Sequence, residues 1–311
     1  MARPLRIEYP GAFYHVTSRG NEKGRIFSSN RDREKFLSYL EDAHKRFRIV
    51  IHGYCLMFNH YHFIMETPLG NLCRSMQYIN SSYATYYNVK WKRAGHLFQG
   101  RYKAILVDAD PYIQQLSRYI HLNPVRAKLV KSPEEYQWSS YACYTSAKKT
   151  PDFLNTEFTL RFFSNRKKEY ERFVEEGLSQ KIEDPLKGVK AGFILGSDEF
   201  VSKIKDRYLC GIKESRDLPM LRAFNRSDIS PESIINMIDK QERLSDKEKI
   251  KLKIYLLRKY TGMNLQEISN NLAPHKKMSI SAISQMFTRL DSKRREDGKL
   301  DESIRQIEGK I

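Results

Sequence analysis

The stretch Gly53-Tyr54-Cys55-Leu56-Met57-Phe58-Asn59-His60-Tyr61-His62-Phe63-Ile64-Met65-Glu66 constrains the fold more than any other part of this chain. It is apolar, aromatic and free of proline, and it reads as a buried β-strand with its approach. Two histidines in it are one residue apart. Successive side chains on a strand alternate between faces, so His60 and His62 project side by side. Two imidazoles held in this way can grip one divalent metal ion, or bind an anion when protonated. The plainer reading is a pair of polar residues on the wet face of a half-buried strand, which short motifs of this kind usually are. The rest of the chain decides between the two.

The flanking segments supply a fold. Tyr14-His15-Val16-Thr17-Ser18 is a short strand ending at the turn cluster Arg19-Gly20-Asn21. Ser29 or Asn30 can cap a helix through Phe36, Leu37, Leu40 and Phe47. Arg48–Tyr54 reads as a strand, and Thr67-Pro68-Leu69-Gly70 ends the one that carries the histidines. Asn71–Lys90 is a long amphipathic helix. Gly100–Val107 is a further strand, with Tyr102, Ala104 and Leu106 inward and Arg101 and Lys103 outward. The order β-α-β-β-α-β predicts an α+β fold, a ferredoxin-like split βαβ sandwich with helices on one face of an antiparallel sheet. Asp110-Pro111 starts one more helix, stopped at Asn123-Pro124.

Beyond this the chain divides by pattern. The expected organisation is a catalytic domain over 1–147, a linker or helical extension over 148–229, and a helical domain over 230–311. Ile234, Ile235 and Ile238 form one apolar stripe, and Ile250, Ile254, Leu257 and Tyr260 another, which Gly262 can end as a left-handed cap. A short helix from Leu265, a break at Pro274, and a helix capped by Ser279 give a helix-turn-helix pattern with a longer turn than usual. Its second helix offers Ser281, Gln285 and Arg289 for reading a duplex. The charged run from Lys293 to Ile311 is expected to be a solvated tail or helix.

Charge narrows the function class. The net charge is +18, and residues 1–150 hold 23 Lys and Arg against 11 Asp and Glu, or +12 of it. A basic excess on the half that carries the histidines points to nucleic acid, because Lys and Arg neutralise phosphates and release counterions. No apolar run reaches the length of a membrane span, and Met1–Arg6 lacks the apolar core of a signal peptide. Cys55, Cys73, Cys143 and Cys210 show no zinc-binding or disulfide spacing, which suits a reducing cytoplasm.

The added helix brings a reactive group. Tyr119 and Asn123 are four residues apart and share a helix face. A phenol attacks phosphorus once its proton is drawn off, and with a pKa of about 10 it needs help at neutral pH. A metal on the scissile phosphate would give that help, and the Asn123 oxygen could join His60 and His62 in holding Mg²⁺ or Mn²⁺. Spacing alone does not select Tyr119 from 19 tyrosines. Cys55 is a weak candidate zinc ligand, expected on the face opposite His60. His121 is a candidate proton shuttle, and Glu66 a candidate base or outer partner.

Four segments, in order, go further. They are Tyr14-His15-Val16-Thr17-Ser18-Arg19-Gly20-Asn21, Met57-Phe58-Asn59-His60-Tyr61-His62, Phe98-Gln99-Gly100-Arg101-Tyr102-Lys103 and Tyr119-Ile120-His121-Leu122-Asn123-Pro124-Val125-Arg126-Ala127. The histidine pair resembles the motif of the HUH endonucleases. The set, covering residues 8–142, resembles the REP-associated tyrosine transposases, a bacterial branch of the single-tyrosine HUH transposases. That resemblance implies Tyr119 as nucleophile, and His60, His62 and Asn123 as metal ligands. It also implies a metal-dependent single-strand endonuclease and strand transferase, acting on palindromic hairpin DNA through a 5′-phosphotyrosine. Phe58 stands where a proline is common, and Tyr61 is larger than the usual aliphatic residue. Arg101, Lys103 and Arg126 are candidate phosphate contacts. Residues 230–295 resemble the C-terminal helix-turn-helix of the replication initiator DnaA, with Ser279–Ser284 in place of its Asp-His-Thr-Thr core. The expected partners are hairpin DNA and flanking duplex, with the protein a monomer or homodimer. The rival expectation is a domesticated DNA-binding protein that holds repeats or regulates transcription without cutting.

Overall fold

Ser29 opens the first long helix with a reciprocal cap. Its hydroxyl accepts from Asp32 N, while the Asp32 carboxylate accepts from the amides of Ser28 and Ser29. In the computed structural model, which describes residues 6–146, 149–179, 184–209, 230–242, 244–261, 263, 265–272, 278–293 and 298–308, this helix is α1, Asn30–Phe47. It follows strand β1, Ala12–Arg19, and precedes β2, Val50–Leu56, and β3, His60–Thr67. Helix α2, Leu72–Lys90, then leads to β4, Lys103–Val107. The strands lie in the order β2-β3-β1-β4, with every neighbouring pair antiparallel. That is the ferredoxin-like split βαβ arrangement, and the fold is α+β.

The alternation along β3 sorts its residues. Tyr61 and Phe63 turn toward α1 and meet Phe36 at 5.0 and 5.8 Å between ring centroids, Tyr61 tilted and Phe63 stacked, beside Phe27 and Tyr83. Each of these fully buried rings contributes about 2 kcal/mol of transfer free energy. The bulky residue between the two histidines is therefore core: the Tyr61 hydroxyl donates to Asn80 Oδ1 at 2.6 Å, away from the histidine face.

That histidine face is covered too, which the one-sided sandwich did not anticipate. After β4 come α3, Ala109–His121, α4, Asn123–Arg126, α5, Tyr141–Thr145, α6, Glu157–Leu160, and α7, Lys167–Ser179. Ile113, Leu116 and Ile120 of α3 pack with Cys55, Ile64 and Val107 of the sheet and with Met57 just after β2. A two-residue strand, β5, Ile194–Leu195, runs parallel to β4 at the sheet edge, and α8, Asp198–Ile204, follows it.

The stretch Gly53–Glu66 is two strands, with a break at Met57–Asn59. This break resets the alternation between Cys55 and His60. Cys55 pairs directly with His62 across the ladder, so it shares the histidine face and does not lie opposite it. Its thiol reaches Met57 Sδ at 3.5 Å inside the apolar layer under α3.

The described residues fall into two compact units, one formed by Arg6–Cys210 and the other by the residues from 230 onward. The second is all helix: α9, Pro231–Asp239, α10, Asp246–Tyr260, α11, Leu265–Leu272, α12, Ile280–Lys293, and α13, Gly298–Glu308. Ile234, Ile238, Ile254, Leu257, Ile268 and Ile283 form its core. Ile304 and Ile307 join that core, so within the charged C-terminal run Gly298–Glu308 is a packed helix with an apolar edge. Gly262, Pro274 and the turn over 273–277 lie outside the described residues.

Candidate active site

Strands β1, β3 and β4 end together on the face that α3 crosses. Thr17 pairs with both His62 and Lys103, so side chains from three strands meet there. They line a cleft of about 420 Å³ with Thr17, Ser18, Arg19, His60, His62, Gln99, Arg101, Lys103 and Tyr119. Gly20 lets the loop after β1 fold tightly beside it, since a Cβ there would stand 2.1 Å from Gly24 O. The cleft floor is imidazole and phenol, and its rim holds three cationic side chains.

The His60 and His62 rings are 5.0 Å apart between centroids, and the Tyr119 ring stands edge-on 5.9 Å from His62. Both histidines use Nδ1 for support. His60 Nδ1 lies 2.7 Å from Asn59 Oδ1, and the Asn59 amide nitrogen donates to Lys23 O at 3.0 Å. The second bond fixes the orientation of the Asn59 amide, so its oxygen faces His60 and Nδ1 must carry the proton. His62 Nδ1 lies 3.0 Å from His15 Nε2. Among the described residues no hydrogen bond takes Nε2 of either cleft histidine. Burial, then Arg19, lowers the His60 pKa to about 4, and burial holds His62 well below the ordinary imidazole value. Two neutral imidazoles with Nδ1 engaged and Nε2 open fit a divalent cation.

Tyr119 is half-buried in the last turn of α3. Burial raises its pKa above 10, Asp184 pushes the same way, and Arg126 opposes them. The Arg126 guanidinium stands 5.3 Å over the phenol ring. Asn123, one turn on, donates from its amide to Tyr119 O at 3.0 Å and is not among the residues lining the cleft. Among the described residues no hydrogen bond takes its Oδ1.

Of the residues singled out in sequence, the cleft joins His60, His62, Tyr119, Arg101 and Lys103, with Asn123 and Arg126 flanking Tyr119. Two others have different work. Glu66 pairs with the buried His52 at 2.9 Å and does not line the cleft. His121 is fully buried between Tyr170 and Ser140, with Nδ1 and Nε2 2.6 and 2.7 Å from their hydroxyls, so it is no proton shuttle. Two residues past Tyr119 on a helix is the opposite side. Sequence reading gave no role to His15, which is 1% exposed and lies edge to edge with His62, ring centroids 5.2 Å apart. Ser281, Gln285 and Arg289 lie on the exposed face of α12, in the other unit, while Ile283, Met286, Phe287 and Leu290 pack inward.

His121 also makes a stability prediction. Burial lowers its pKa to about 3, against about 6.5 in an unfolded chain. The unfolded state then takes up a proton first as pH falls. The stability from neutral His121 is complete above about pH 6.5 and is lost progressively as pH falls toward its folded value. At pH 5 the expected loss is about 2 kcal/mol. His15 and His60, both lowered to about 4 by burial, add in the same direction. Urea unfolding at pH 7.5 and pH 5 checks this, and equal midpoints would exclude it.

Residues 9–123 match the family model described as "Transposase IS200 like". Among solved structures, one titled "Structure of the REP associates tyrosine transposase bound to a REP hairpin" is similar over 49% of this chain and 89% of that one, at 14% identity and a TM-score of 0.42. No curated protein matches. No helix among the described residues is long and apolar enough to cross a membrane.

Proposed function

We propose, from the premise that residues 9–123 are an IS200-like transposase domain, that this protein nicks and rejoins single-stranded hairpin DNA through Tyr119. The observation that carries the proposal is the meeting of Tyr119 with His60 and His62 in one cleft rimmed by Arg19, Arg101 and Lys103. The Tyr119 oxygen attacks a phosphodiester, the P–O3′ bond breaks, and the phenolic proton is given up. The products are a 5′-phosphotyrosine and a free 3′-hydroxyl. The link conserves the energy of the broken bond, so attack by a 3′-hydroxyl rejoins the strand without ATP.

Each nearby side chain has a part in this. Arg19, Arg101 and Lys103 hold the phosphates either side of the scissile bond. Arg126, over the ring face, favours the phenolate that burial disfavours. His60 and His62 through Nε2, with Asn123 through Oδ1, would hold Mg²⁺ or Mn²⁺, which when bound supplies charge stabilisation at the scissile phosphate. The test is a denaturing gel of the protein with hairpin DNA labelled at its 3′ end and Mn²⁺. A labelled band at the protein's mass supports the reading, and hairpin bound but never cut supports a non-cleaving binder.

The helical unit is proposed as a duplex reader, through Ser281, Gln285 and Arg289 on the outer face of α12. Deleting residues 230–311 should leave the cleavage rate at saturating hairpin unchanged. It should weaken attachment to hairpin joined to duplex by roughly tenfold or more, as loss of a second binding module does. Binding measured at two salt concentrations, with the saturated nicking rate, checks both parts. A large fall in the saturated rate would show that these helices take part in the active site.

A further inference from the structure

His15 lies in β1, buried beside His62 and outside the cleft lining, and among the described residues it makes one polar contact. Its Nε2 is 3.0 Å from His62 Nδ1, the two rings lie edge to edge within 10° of parallel, and among the described residues its own buried Nδ1 has no hydrogen-bond partner. The pair has two neutral proton arrangements. In one, His15 Nε2–H donates to His62, whose remaining proton then sits on Nε2 and faces the cleft. In the other, His62 Nδ1–H donates to His15, and His62 Nε2 presents a lone pair. Among the described residues nothing beyond His15 fixes the choice, because His15 Nδ1 has no partner to impose a tautomer. His60 differs, since Asn59 dictates its tautomer outright.

We propose that His15 is a positioning residue: by accepting from His62 Nδ1–H through Nε2, it aims a lone pair of His62 into the cleft for a divalent cation. This rests on the reading of His60 and His62 as cation ligands. A ligating histidine ordinarily gives its second N–H to an outer acceptor, and here that acceptor is another imidazole whose ring lies edge to edge with it, within 10° of the same orientation. The chain thus holds one ligand by an amide and the other by an imidazole.

The tests use the full chain and Mn²⁺ alone, followed by the electron paramagnetic resonance of the free ion. His15→Phe keeps the flat ring and removes the acceptor, so Mn²⁺ affinity should fall about 10- to 100-fold. His15→Gln places an amide oxygen where Nε2 stands and should recover most of the loss. In the unaltered protein with Mg²⁺, long-range ¹H–¹⁵N spectra of labelled histidines should show His62 protonated on Nδ1 and His15 on Nδ1. That measurement does not depend on how a variant folds. Mn²⁺ affinity unchanged in a folded His15→Phe, or His62 protonated on Nε2, would overturn the assignment to His15 alone. Mn²⁺ binding that survives His62→Ala would instead remove the metal reading beneath it, and the proposal with it.

Discussion

Tyr119→Phe is expected to abolish the detergent-stable protein–DNA adduct and to lower strand cleavage by about 10⁴-fold or more, the scale seen when a covalent nucleophile is deleted. The change removes one oxygen and no charge. The ring keeps its edge contacts to His62 and His15 and its face to Arg126, so the cleft should keep its shape and hairpin affinity should hold. Binding by gel shift and cleavage by denaturing gel on the same preparation separate the two effects. An adduct that persists in the variant would mean that another tyrosine carries the chemistry.

His60→Ala and His62→Ala should each remove metal-dependent cleavage, by about 10³-fold if a bound cation supplies several kcal/mol at the transition state. The two should differ in stability. His60→Ala leaves Asn59 still anchored to Lys23 O, at a half-buried site. His62→Ala leaves His15 Nε2 buried without its partner, costing about 1–3 kcal/mol more. Thermal melts of both variants beside the cleavage assay test this ranking. Full wild-type activity in EDTA would refute the metal role for both residues.

The parts of this site legible in sequence are those set by local periodicity. Alternation along β3 put His60 and His62 on one face and Tyr61 on the other, and helical spacing set Asn123 one turn after Tyr119. What needed the register between strands was hidden. Cys55 was placed on the wrong face because the break at Met57–Asn59 changes the count, and a run of apolar residues does not announce a break. His15 was overlooked because its contact with His62 depends on how β1 slides against β3. Its position in the same face set as Thr17 was the available signal. His121 attracted attention by standing near Tyr119 in sequence, although the helix turns it into the core. The packing of Ile304 and Ile307 was masked by the charges around them.

The division of β3 between a core face and a cleft face has an evolutionary side. Tyr61, Phe63 and Met65 are fully buried within the sandwich, while His60 and His62 occupy the alternate positions and Tyr119 a helix added after the sheet. On the proposed function, a single base change at Tyr119 would silence cutting while the sandwich still folded and the basic rim still held DNA. Inserting or deleting one residue within β3 would exchange the two faces and end both folding and chemistry. Descendants of such a gene should therefore lose activity by substitution far more often than by small insertions, and the survivors would be DNA-binding proteins with an intact sheet. Retired copies would keep Tyr61 and Phe63 longer than Tyr119.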